Sequence, residues 1–137
     1  MEIGILYSSE KSTVEKIAHG LKRGLEEQGQ KVFIFSDISS SFAGLARCRH
    51  IFIGSFITSI FKAKTPQKLR DALSRAPGIG GKRSIAFVAG SGPGARKALV
   101  ALMSDMEKQG CFIIDQRAFG SEKEAYEFGR NVTLKES

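Results

Sequence analysis

The chain has 137 residues, 42% hydrophobic and 26% charged, which is the composition of one globular domain large enough to bury about 68% of its unfolded surface. No apolar run approaches the roughly 18 residues of a membrane span. The first strand begins too early to leave a leader peptide, and Cys48 and Cys111 stand alone without disulfide-framework or metal spacing, so a soluble protein of a reducing cytoplasm is expected. The net charge of +7 is uneven: residues 47–104 carry eleven Lys or Arg against Asp71 alone. That middle segment suits an anionic partner or ligand, or a solvated basic face.

Five apolar runs alternate with amphipathic stretches. Residues 3–7, IGILY, read as a buried strand, followed by the hydroxyl-rich turn of residues 8–13, SSEKST. Val14, Ile17, Ala18, Leu21 and Leu25 then recur at helical spacing up to a glycine stop at Gly29. Residues 32–35 are a second strand, residues 37–46 a short helix or turn anchored by Phe42 and Leu45, and residues 51–54 a third strand. The connection from Ser55 to Thr65 precedes a helix opened by Pro66, with Leu69, Ala72 and Leu73 inward. Residues 84–89 form the fourth strand. A glycine-rich turn leads into a helix carrying Leu99, Leu102, Met103 and Met106 inward, and residues 111–114 form the fifth strand. A terminal helix spans residues 122–134.

The central strands are apolar at successive positions, as strands buried on both faces are. The fold class is therefore α/β, a parallel sheet covered by helices on each side, and ligands of such sheets bind beyond the carboxyl ends of the strands. Attention falls on the loops after strands one, three and four. In the first, Ser8, Ser9, Ser12 and Thr13 offer hydroxyls, Lys11 offers a cation, and the helix start offers N–H groups for an anion. Equally, Ser12 or Thr13 can cap the helix, with Glu15 completing a capping box if Ser12 is the cap. In the second, Phe56, Ile57, Ile60 and Phe61 are four large apolar residues that need a cover: a ligand ring, a lid, a dimer interface or the domain's own core. In the third, residues 90–95, GSGPGA, fit a dinucleotide fingerprint, with Asp115 as the ribose acid at the end of the next strand.

Residues 6–9, LYSS, before a helix, residues 51–55 ending a strand, residues 88–94 ending another and residues 124–130, EAYEFGR, in the last helix together resemble the flavodoxin family across nearly the whole chain. The resemblance implies a three-layer, doubly wound, five-stranded parallel sheet of order 2-1-3-4-5, non-covalent FMN, and electron transfer. It implies phosphate contacts from Ser8, Ser9, Lys11, Ser12 and Thr13, and flavin contacts from Ser55, Phe56, Ile57, Thr58 and Phe61, with Phe56 or Phe61 stacking. Backbone groups of Gly90, Ser91, Gly92 and Gly94 would hold the ring edge. The family's first loop usually reads Ser/Thr-x-Thr-Gly-x-Thr, and here Lys11, Ser12 and Val14 replace its last three signature positions. An acidic redox partner suits the basic middle. The alternative is a flavodoxin-like domain that has lost FMN and serves as a partner-binding or regulatory module.

Phosphoacceptor, hydrolase and nucleic-acid readings find no support. Tyr7-Ser8 stands where a receiver domain needs Asp, no Ser-His-acid arrangement is found, neither His19 nor His50 has a nearby metal partner, and no nucleic-acid module is recognisable.

Overall fold

Glu2–Tyr7 forms β1, and it is buried from Ile3 onward. Strands β2, Lys31–Ser36, and β3, His50–Phe56, flank it in parallel, with Ile3 opposite both Val32 and His50. With β4, Arg83–Ala89, and β5, Phe112–Phe119, they complete a five-stranded parallel sheet of order β2-β1-β3-β4-β5. The order reverses between β1 and β3, because the chain steps outward to β2 before crossing back. The computed structural model describes residues 1–59 and 62–135; no described helix is long and apolar enough to cross a membrane.

Side chains of a strand alternate between faces, so an unbroken apolar run must serve two cores. Ile51 and Ile53 of β3 join Leu6, Ala86 and Val88 on one face. There they meet Leu45 of the short 3-10 helix Ala43–Arg47, Leu69 and Leu73 of α2 (Gln67–Arg75), and Leu99 and Leu102 of α3 (Pro93–Lys108). Phe52 joins Ile3, Ile5, Ile85 and Phe87 on the other face, under α1 (Ser12–Glu27) and α4 (Glu122–Asn131). The expected stripe of α1, from Val14 to Leu25, is buried. Cys48 and Cys111 are free thiols buried in the first of these cores, and no described residues form a three-ligand metal cluster. Helices α1 and α4 approach so closely that Gly24 and Gly129 lie backbone against backbone.

Among the boundaries that differ from the sequence expectation are the ends of the last strand and the last helix. The fifth strand runs to Phe119 rather than stopping at residue 114, because an extra residue interrupts its register: Ile113 pairs with Ser84 and Asp115 with Ile85. That bulge, on an edge strand with one exposed side, breaks the apolar pattern that marks the inner strands. The last helix ends at Asn131, three residues short of the expected 134.

His50 enters β3 almost wholly buried, 1% exposed, with neither ring nitrogen hydrogen-bonded among the described residues. Burial, reinforced by Arg83 and Arg49, holds its pKa below the usual 6.5. The unfolded chain therefore binds the extra proton first, so the stability contributed by the neutral ring is present above about pH 6.5 and is lost as the pH falls below it. The urea midpoint should drop between about pH 7.5 and about pH 5.5, and His50→Leu should flatten that drop. An unchanged drop in the variant would show that another group titrates.

Candidate functional site at the carboxyl edge of the sheet

Where the strand order reverses, the first loop is pinned from both sides. The Ser8 N–H donates to the Gly54 carbonyl of β3 at 3.0 Å. On the other side, Asp37 follows β2, donates its N–H to the Tyr7 carbonyl at 2.9 Å and accepts the Ser9 N–H on Oδ1 at 3.1 Å. Asp37 is 2% exposed, and its Oδ2 has no hydrogen-bond partner among the described residues. Ser8 is fully buried and its Oγ accepts the Glu10 N–H at 3.5 Å. Burial first, then Glu15 and Asp37, push the Tyr7 phenol's pKa upward, so negative charge already surrounds the base of this loop.

Helix α1 opens at Ser12, and the capping residue is Lys11 in extended conformation, with no side-chain cap. Ser12 and Thr13 are already inside the first turn, so the capping role and capping box expected of them are not realised. An ammonium group cannot accept a hydrogen bond, so no side chain caps the start of α1; the Val14 N–H donates to the Lys11 carbonyl at 3.1 Å, and Glu15 is the acid of the first turn. The Lys11 ammonium lies 5.0 Å from the centroid of the Phe56 ring.

Phe56 is the last residue of β3, paired with Ala89, and is 8% exposed. It is a buried strand residue with Lys11 over its face, where the sequence places it in a loop. Two-sided burial of β3 simply extends two residues beyond Gly54. Ser55 is also buried in the strand. Ile57, half-buried, packs against Gly90: a Cβ there would stand 2.7 Å from Ile57 Cδ1, and the φ of +129° is itself one that favours glycine. Thr58 Oγ1 accepts the Lys64 N–H at 3.1 Å and donates to the Lys64 carbonyl at 3.2 Å. Phe61, with Ile60, lies outside the described residues.

In the third loop, the Gly90 N–H donates to the Phe119 carbonyl at 2.9 Å. Ser91 and Gly92 are exposed, Gly92 caps α3 with a φ of 86° and no side-chain bond, Pro93 takes the first turn, and Gly94 is buried. A second helix N-terminus thus opens at the same edge. Asp115 is not at the loop end: it sits within β5, and its carboxylate binds Arg117 at 3.0 Å and the Gln116 N–H at 2.8 Å. The dinucleotide reading loses its ribose acid, because β5 continues four residues past it.

Ser8, Ser9, Lys11, Ser12 and Thr13 are thus gathered on one turn, Lys11 brings Phe56 to them, and Ile57 and Gly90 join the second and third loops. Asp37 was missed, although an acid directly after the second strand was a usable signal once β2 was placed beside β1. The arrangement can hold an anion at α1 beside an ammonium, and its described residues include no paired nucleophile and base.

No family model matches the chain, and no curated protein matches it. Solved structures do. A flavodoxin from an archaeon is 17% identical, covers 96% of this chain and 95% of its own, and superposes with a TM-score of 0.73. The two-electron reduced flavodoxin of Megasphaera elsdenii, also 17% identical, covers 95% and 99% with a TM-score of 0.72. The flavodiiron protein of Giardia intestinalis is 19% identical and covers 95% of this chain but 34% of its own, with a TM-score of 0.66. With the strand order, the two helical layers and the loops at the point of reversal, this likeness gives the chain the flavodoxin-like fold.

Proposed function

We propose that this chain binds FMN at the carboxyl edge of its sheet and serves electron transfer or flavin-dependent redox chemistry. The observation that carries the reading is the uncapped start of α1 beside Lys11, located where the strand order reverses. A phosphate there would meet first-turn N–H groups, the Ser12 and Thr13 hydroxyls and one ammonium, which is the chemistry a phosphate monoester needs. Bound flavin supplies the redox chemistry, in one- or two-electron steps. The protein's part is to hold the phosphate, to approach the ring with Ile57 and the glycine-rich backbone of residues 90–94, and to limit water around it.

Titrating the protein into FMN and following flavin fluorescence tests the reading. Saturable quenching at one flavin per chain, with weaker quenching of riboflavin, is the expected result. Unchanged fluorescence would overturn it. That outcome would favour the second reading, a flavin-free partner-binding module, for which two contacts speak: Asp37 already takes the Ser9 N–H, and Lys11 already rests on Phe56.

Asp37 also yields a prediction of direction. Its buried carboxylate lies under the loop proposed to hold a dianion, and Asp37→Asn keeps an acceptor for the Ser9 N–H while removing the charge. At an intermediate dielectric this should tighten FMN by about two- to fivefold. Weaker binding in the variant would mean that the carboxylate matters more for shaping the loop than it costs in repulsion.

A further inference from the structure

β5 ends the sheet: one side of it pairs with β4, and no described strand lies along the other. Its eight residues make a long edge, and an open edge is a template for another strand. Among the described residues four large apolar side chains are strongly exposed, and three of them stand here. Phe112 (58%) and Ile114 (42%) are on β5, and Val100 (57%), on α3, lines the same hollow as Ile114. Apolar exposure is thus gathered along one margin of the molecule.

The backbone groups of a strand point alternately to its two sides. The Phe119 carbonyl accepts the Gly90 N–H, on the β4 side. Counting back, Arg117 and Asp115 also turn toward β4, while Ala118 and Gln116 turn outward. The Gln116 N–H agrees with this: its acceptor is the neighbouring Asp115 Oδ1 at 2.8 Å, not a strand. Arg117 lies over the Phe128 ring of α4 and holds the Asp115 carboxylate at 3.0 Å, so both charges sit on the α4 face.

We propose that this edge binds a second copy of the chain, β5 to β5 in antiparallel sense, about a two-fold axis through Gln116. An isologous contact has to match itself. Outward-turned residues must also face one another, which leaves Asp115, Gln116 or Arg117 on the axis near the middle of the strand. With Asp115 there, two carboxylates oppose each other; with Arg117 there, two guanidinium groups do. With Gln116 there, Asp115 of each copy faces Arg117 of the other, at a non-hydrogen-bonded position where side chains come closest. The pair already present in each strand becomes a ring of four alternating charges. The Gln116 N–H exchanges its Asp115 oxygen for the second copy's Gln116 carbonyl. The same register sets exposed Ile114 against Ala118, on both sides of the axis.

Sedimentation velocity over a concentration series reads the self-association, and charge reversal tests the register. Asp115→Arg and Arg117→Asp should each weaken the dimer by about tenfold or more, because each makes all four charges alike. Mixed in equal amounts, the two variants should associate at least as tightly as the wild type, since each supplies the charge the other lacks. Gln116→Pro removes an outward N–H without touching β4 and should leave a monomer. A wild-type chain that stays monomeric to about 1 mM would overturn the proposal. So would a dimer that neither reversal weakens, or two reversed variants that stay apart when mixed.

Discussion

Lys11→Glu should weaken FMN by roughly ten- to thirtyfold while leaving riboflavin nearly untouched. The side chain sits at the cap of α1, with its ammonium over Phe56, on the turn that also carries Ser12 and Thr13. Reversing its charge beside a phosphate dianion changes the interaction by two unit charges. Lys11 is exposed, so the relevant dielectric is close to that of water and salt screens what remains, leaving about 1.4–2 kcal/mol. Riboflavin lacks the phosphate and therefore lacks the interaction. Parallel fluorescence titrations of the two flavins measure the difference. Equal losses would place Lys11 at the ring or show that the turn had been disrupted.

The largest effect on stability is expected from Gly24→Ala. A Cβ at Gly24 would drive into the Tyr126 carbonyl oxygen and stand 2.7 Å from the Arg130 nitrogen. From the other helix, a Cβ at Gly129 would stand 2.6 Å from the Leu21 carbonyl oxygen. These obstacles are backbone, so no side chain can swing aside and the two helices must part. Alanine should gain about 1 kcal/mol in helix propensity, yet overpacking should leave the variant about 1–3 kcal/mol less stable. Adding Gly129→Ala should cost less than its single effect, because the helices have already separated; urea denaturation of the two single variants and the double reads that coupling. Additive losses would mean that the two glycines relieve independent clashes.

How much of this was legible depends on where each feature is encoded. The inner strands β1, β3 and β4 are buried on both faces, so their apolar runs announce them, and the stripe from Val14 to Leu25 announces α1. The apolar pattern of β5 stops early, because the bulge at Ile114 and the exposed edge put Asp115, Gln116 and Arg117 inside a strand. Gly54-Ser55 looks like a strand end in the sequence, whereas the pairing with β4 continues to Phe56 opposite Ala89. Local preference favoured Ser12 or Thr13 as the cap, but the turn from Ser8, anchored to Gly54 and Asp37, delivers Lys11 to that position. Asp37 meets Ser9 across 28 positions only once β1 and β2 align. Such juxtapositions belong to topology, and no local pattern carries them.

The most direct measurement is desalting after reconstitution. Protein incubated with excess FMN is passed through a size-exclusion column, and absorbance is read at protein and flavin wavelengths. A yellow protein peak carrying one flavin per chain, bleached by dithionite and restored by air, is expected. A colourless protein peak, with all the FMN in the small-molecule fraction, would contradict FMN binding.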